Sequence, residues 1–276
     1  MSNPARSAYQ SDVASGAEGR PRRAPRVSDR TIISVGRIVL ILLILSLWQY
    51  ADDRWVPDFA ISSPLHVAAR LGQDLLQPLL WQHIAATLEE LVLGYVLGAV
   101  LGIGLGVLFG LNHIVRGIFE PLISAINGIP KVALAPLFLL WMGLGIESKV
   151  AIAAMMVMLL MFYNTLNGIL VAPRPLIDVL RVMGADRITI VRRVLLPFLG
   201  PYIVSGLKSS VPMAVIGVIV GEFIGADMGI GFYIRNATDL FDAAGLFAGV
   251  LILVAMTLIG SGLVDLLGRR LLRWQR

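Results

Sequence analysis

The sequence contains no cysteine. That excludes disulfides, thiolate metal sites and cysteine nucleophiles. Charge is scarce as well: 15% of the 276 residues are Asp, Glu, Lys or Arg, against about 25% in an ordinary soluble domain. Histidine is limited to His66, His83 and His113, which lack metal-ligand spacing, and no His-Glu-x-x-His occurs. There is no Gly-x-Ser-x-Gly elbow for a nucleophile and no Gly-x-x-x-x-Gly-Lys-Ser/Thr loop for a nucleotide. The chain therefore carries no metal site of its own and no equipment to hydrolyse ATP, and an embedded enzyme is disfavoured.

What the sequence has instead is apolar surface. Hydrophobic residues make up 57% and the mean hydropathy is +0.81. The class is an all-α, polytopic membrane protein. Long apolar runs predict six spans, at 32–50, 84–111, 118–142, 150–171, 203–223 and 245–267. Each reaches the roughly 20 residues needed to cross the hydrocarbon core. The third holds Pro130, Lys131 and Pro136, so a single straight helix is not expected there.

Residues 1–30 are different: rich in Ser, Ala, Pro and Arg, they read as a disordered basic tail ahead of a membrane domain at 31–276. A secretory signal is the alternative for this N-terminus, but no small-x-small cleavage pattern follows the apolar run. Six spans place both termini on one side. That side then collects 17 of the 23 Lys and Arg residues, the other side 4, and Lys131 and Lys208 fall within spans. The positive-inside rule makes the 17-charge side, with both termini, cytoplasmic. The net charge of +5 is thus spent at span ends and gives no reason to expect nucleic acid.

One cytoplasmic segment, about 172–197, is too charged to insert. Its six charges between Asp178 and Arg193 would cost about 15–20 kcal/mol in the bilayer. Its punctuation predicts a helix-turn-helix. A first helix covers 176–183, Gly184 closes it as a left-handed C′ residue, Asp186 caps a second helix over 187–195, and Pro197 enters the next span. Arg192 and Arg193 would occupy the second helix's last turn, favourable to its dipole. One apolar face (Leu176, Val179, Leu180 and Met183, then Ile188, Val191 and Leu195) is expected to pack on the span ends. The arginines can lie on anionic lipid, or the outer face can dock a partner; composition leaves both open.

Within the spans, Gly94, Gly98, Gly102, Gly106 and Gly110 recur every four residues, a spacing that lets helix backbones approach closely. Each step turns about 40°, so the ridge is expected to serve two neighbours, in tight packing or as a sliding surface for gating. Polar groups in spans are candidates for a solute pathway: Lys131, Asn164, Lys208 and Glu222. Lys208 can instead snorkel from the cytoplasmic end, and Glu222 can be merely interfacial.

The charged segment resembles a family signature. Bacterial ABC importer permeases carry Glu-Ala-Ala, three residues, Gly, nine residues, Ile-x-Leu-Pro. Here Gly184 is followed by nine residues and then Val194-Leu195-Leu196-Pro197, while Asp178-Val179-Leu180 stands at the Glu-Ala-Ala position. Ser63-Pro64-Leu65-His66-Val67, Trp141-Met142-Gly143, Gly221-Glu222 and Gly229-Ile230-Gly231 extend the match to the nitrate, sulfonate and taurine branch. The resemblance implies a bacterial inner-membrane permease, with six transmembrane helices and a cytoplasmic coupling loop, that moves a small solute inward by alternating access. It implies a second copy of the chain, cytoplasmic ABC ATPase subunits carrying the ATP and Mg, and an extracytoplasmic solute-binding protein. It places ATPase coupling on Asp178, Arg181, Gly184 and Ala185, with Asp186, Arg187 and Pro197. Solutes from nitrate and sulfonates to vitamin-like molecules stay open, and a channel or non-transporting scaffold is the rival reading.

Overall fold

The computed structural model describes residues 29–52 and 62–271, and all regular structure among them is helical. The chain divides into two units, Met1–Trp48 and Gln49–Arg276. The described part of the first lies within helix α1, Asp29–Asp52, whose last four residues belong to the second. Its side chains from Thr31 to Leu47 are exposed, apolar ones on every side. A helix apolar all round is a membrane span rather than a surface helix. Asp29 and Arg30 already belong to α1, and the rest of the expected tail lies outside the described residues.

The next described helix is α2, Pro64–Asp74. Ser63 caps it, its Oγ accepting from the His66 N–H at 3.3 Å, and Pro64 occupies the first turn where no donor is needed. Helix α3, Pro78–Leu111, starts six residues before the expected span. Its 34 residues reach about 51 Å, well beyond the hydrocarbon core.

The expected third span is broken. Helix α4, His113–Gly128, a 3₁₀ turn at Lys131–Leu134 and α5, Ala135–Met142, meet at an 89° bend. Pro130 cannot donate to a helix, and it biases Ile129 towards the extended backbone seen there. The two arms still make one crossing. Phe119 of α4 stacks on Phe109 at the far end of α3, while Leu139 of α5 lies under Gly225, the last residue of a later span. Counting the broken pair once, the described residues hold six spans.

Helix α6, Ile146–Leu170, is the central one; Ile152, Ala153, Val157 and Met161 are fully buried. Then come α7, Arg174–Val182, α8, Arg187–Ile190, and α9, Leu196–Gly225. A short α10, Ile230–Asp239, precedes the last span, α11, Ala243–Leu271. The five α3 glycines face one neighbour rather than the expected two. A Cβ at Gly94 would meet Ala153, and Gly98, Gly102, Gly106 and Gly110 follow in register against Ala154, Met158, Thr165 and Ile169, all in α6. Both numberings rise together, so α3 and α6 run parallel, as alternate spans must. A four-residue repeat exceeds 3.6, so the two helices wrap to follow its drift, and one partner stays in contact throughout. On α9, Gly206, Gly217 and Gly221 meet Asn164, Ala153 and Lys149, an antiparallel pairing with α6.

Candidate functional site

The charged segment folds as its residues dictate. Pro173 offers its carbonyl to the Leu176 N–H at 3.1 Å, so α7 begins at Arg174, two residues before the expected start. Gly184 has φ +80°, which a residue with a Cβ adopts only at a cost. The turn it makes sends the Ala185 N–H to the Leu180 carbonyl at 2.9 Å and the Gly184 N–H to the Arg181 carbonyl at 3.0 Å. That pair of bonds is a Schellman closure, satisfying carbonyls a helix end leaves bare. Two residues on, Asp186 Oδ1 accepts the Thr189 N–H at 3.1 Å and caps α8. Hydrogen bonds from the Thr189 side chain and backbone hold the Asp186 carboxyl below the ordinary aspartate value.

The second helix differs from expectation in one respect: it does not end. Helix α8 passes through a π-helical turn, Val191–Leu195, into α9. The Leu196 N–H reaches back five residues to the Val191 carbonyl. Pro197 withdraws a donor and its ring crowds the carbonyl four residues earlier, a strain that a widened turn absorbs. Arg192 and Arg193 therefore stand mid-helix, without the dipole role expected of them. The element beginning at Arg187 is mechanically one with the span it feeds.

The faces also differ from expectation. Ile190, Val194 and Leu195 are buried, and Ile177 and Val191 pack with Ile169, Ala172 and Leu199. Val179, Met183 and Ile188, expected inside, are 55%, 76% and 74% exposed, and Val182 reaches 90%. They form an apolar outer patch beside Asp178, Arg181 and Asp186. The inward face is rotated because continuity with α9 fixes the helix by Leu195 and Leu199. Asp178 pairs with Arg181 at 3.5 Å, both side chains two-thirds exposed, a contact worth little in water. The Arg187 side chain lies outside what the structure describes.

The chain matches the family model described as the binding-protein-dependent transport system inner membrane component over residues 98–273. It belongs to that family. It is 38% identical over 243 residues to the riboflavin transport system permease protein of Chloroflexus aurantiacus, covering 88% of this chain and 91% of the relative. It is 33% identical to the formylaminopyrimidine transport permease protein of Halalkalibacterium halodurans, over 86% of this chain and 95% of the relative. The taurine transport system permease protein of Escherichia coli is 26% identical, over 90% and 91%. The fold is that of a chain in the MetNI methionine ABC transporter, at TM-score 0.62 and 22% identity, covering 70% of this chain and 96% of that one. The protein is the permease subunit of an ABC importer in the inner membrane, and ATP hydrolysis belongs to a separate subunit.

The four polar residues proposed for a pathway are not gathered in this permease. Lys131 stands half-buried at the bend, with Nζ 3.2 Å from Asn127 Oδ1. Asn164 Nδ2 donates to its own helix at the Leu160 carbonyl, 2.9 Å away. Lys208 pairs with Asp265 of α11 at 2.8 Å, so it does not merely snorkel. Glu222 is fully buried rather than interfacial, accepting from Thr87 Oγ1 at 2.6 Å and from the Gly231 N–H at 2.5 Å.

Sequence reasoning passed over the partners of Glu222. Glu90, 4% exposed, pairs with Lys149, 5% exposed, at 3.2 Å. Lys149 reads as a loop cation, but α6 begins three residues before it. Glu90 lies beside Glu89 inside an expected apolar span, and that pair of acids was the available signal. Also missed was a network beyond the membrane: Arg70 joins Asp74 at 2.8 Å and also Asp242, and the Tyr233 hydroxyl donates to Asp74 at 2.5 Å. Burial, then the bond to Asp74, pushes the Tyr233 phenol well above its ordinary range. The network ties α2 to α10 and α11.

Proposed function

We propose that the α7–α8 elbow is the docking element for a cytoplasmic ABC ATPase. The observation that carries this is mechanical. A capped, closed turn presents exposed Val179, Val182 and Met183, and its second half continues unbroken into α9. Force applied at Asp186 therefore reaches a span without passing through a flexible joint. Both termini lie in the cytoplasm on this reading, as the distribution of Lys and Arg requires. Two permeases and two ATPases, with ATP and Mg on the latter, alternate access for a solute delivered by an extracytoplasmic binding protein.

The absence of cysteine makes the test clean. Val182→Cys should cross-link to a co-expressed ATPase and label only from the cytoplasmic face of sealed vesicles. Labelling from the opposite face would reverse the orientation and end the docking role.

For the solute, a small nitrogen heteroaromatic compound is the better-supported class. The riboflavin and formylaminopyrimidine relatives are 38% and 33% identical, the sulfonate and taurine relatives 28% and 26%. Uptake of riboflavin or formylaminopyrimidine, but not taurine, by the complex with its binding protein supports this; taurine uptake alone returns the solute to the sulfonate class.

A further inference from the structure

We propose that the buried cluster of Glu90, Lys149 and Glu222 binds one proton, shared between its two carboxyls. The site lies at the start of α3 and α6 and the end of α9, opposite the elbow. It is independent of the docking role given to that elbow.

The charges do not balance otherwise. Glu90, Lys149 and Glu222 are 4%, 5% and 0% exposed, so two acids face one cation in an apolar bundle. An uncompensated buried charge costs several kcal/mol. Lys149 is committed to Glu90 Oε1 at 3.2 Å. Glu222 already accepts on both oxygens, from the Thr87 hydroxyl and the Gly231 N–H. Thr87 Oγ1 itself accepts the Ile230 N–H at 2.7 Å, so its hydrogen is fixed towards Glu222. Glu90 Oε2, by contrast, is buried with no partner among the described residues. Thr87, which holds Glu222, stands one helical turn before Glu90 on α3, and Gly221, beside Glu222, packs on Lys149, so the two carboxyls share one pocket with the lysine. A proton on Glu90 Oε2 turns an orphan acceptor into a donor and cancels the surplus charge. The proton belongs to the pair rather than to one residue.

Among the described residues, the surrounding groups offer no second cation. On α3, Glu89 is exposed and acidic, and His83 Nδ1 accepts the Gly229 N–H at 3.1 Å, which fixes a neutral tautomer. On α6, Glu147 is exposed; Asp227, between α9 and α10, is exposed too. Arg235 of α10 is engaged by the carbonyls of Phe223 and Ala226 at 3.0 and 2.8 Å. Losing the proton sets two carboxylates against each other beneath the Gly229–Gly231 connection. The cluster should therefore loosen as pH rises into the alkaline range and be intact at neutral pH.

Infrared spectroscopy of the full-length permease in lipid vesicles tests this. A carboxylic-acid carbonyl band should be present at neutral pH, disappear on alkaline titration, and be absent from Glu222→Gln or Glu90→Gln. Glu222→Gln should match the wild-type melting temperature at neutral pH and lose the wild type's alkaline decline. No such band in the wild type at neutral pH, or a band unchanged in both glutamine variants, overturns the proposal. Should neither variant fold, the wild-type band and its alkaline loss decide.

Discussion

Lys208 Nζ lies 2.8 Å from Asp265 Oδ2, joining α9 to α11. The side chains are 51% and 36% exposed, so solvent or headgroups screen the pair, and its worth is small. Lys208→Met and Asp265→Asn should each lower stability only slightly and leave uptake intact. Equal, small effects in the two variants mark a structural brace. Lost uptake in Lys208→Met alone, with normal assembly, would return Lys208 to the solute path.

The α3 ridge predicts a sharp contrast between neighbouring glycines. A Cβ at Gly106 would lie 2.6 Å from Thr165 Cβ, whereas one at Gly104 meets nothing within 4 Å. Gly106→Ala must push α3 and α6 apart and should cost about 1–3 kcal/mol, the range for overpacking. Gly104→Ala should be neutral or slightly stabilising. Thermal unfolding of the two variants in the same detergent checks this, and equal stability would mean that the ridge is not the packing seam.

Gly184 separates a backbone requirement from a contact requirement. Nothing lies within 4 Å of where its Cβ would go, but φ is +80°. Gly184→Ala should cost about 1–2 kcal/mol locally, the left-handed penalty of an L-residue. Transport should fall while the permease still inserts. Asp178→Arg leaves the turn intact and changes only the exposed face, so it should weaken coupling without a folding defect. Solute-stimulated ATP hydrolysis in the reconstituted complex reads both, and wild-type stimulation in Asp178→Arg would remove that residue from the contact.

The elbow was legible in the sequence because its determinants are local. Gly184 and Asp186 specify closure and capping within a few residues, and the structure uses them in those roles. What was not legible depends on distant partners. Which residues of the elbow face outwards is set by Leu195 and Leu199 packing beside Ile169. All five glycines share α6 because two helices wrap, a property that neither possesses alone. The Glu90–Lys149 and Lys208–Asp265 pairs join residues far apart along the chain. Periodicity within one helix carries no record of them.

Asp186 makes a pH prediction with a defined sign. Its carboxyl is held below the ordinary aspartate value by Thr189. The cap is therefore fully formed above the unfolded aspartate range and is lost as pH falls through the lowered folded value. Attachment of the ATPase should be flat across neutral pH and weaken only in strong acid. Asp186→Asn keeps an acceptor for the Thr189 N–H and should bind like the wild type, without the acid dependence; Asp186→Ala should bind poorly at every pH. Poor binding by Asp186→Asn at neutral pH would show that charge, rather than capping, is what the partner reads.

Lys131 separates the two solute classes. It sits half-buried at the 89° bend between α4 and α5, with Asn127 as its hydrogen-bond partner. A cation at a break in a span is a reasonable counter-ion for a sulfonate, because the backbone there already lines a gap in the helix. A neutral heteroaromatic solute has no use for it. Lys131→Met removes the charge and keeps much of the aliphatic stem. With a heteroaromatic solute, uptake by Lys131→Met should stay near the wild-type rate. A loss of ten-fold or more, about 1.4 kcal/mol of barrier, with assembly intact would assign Lys131 to the path and favour an anionic solute.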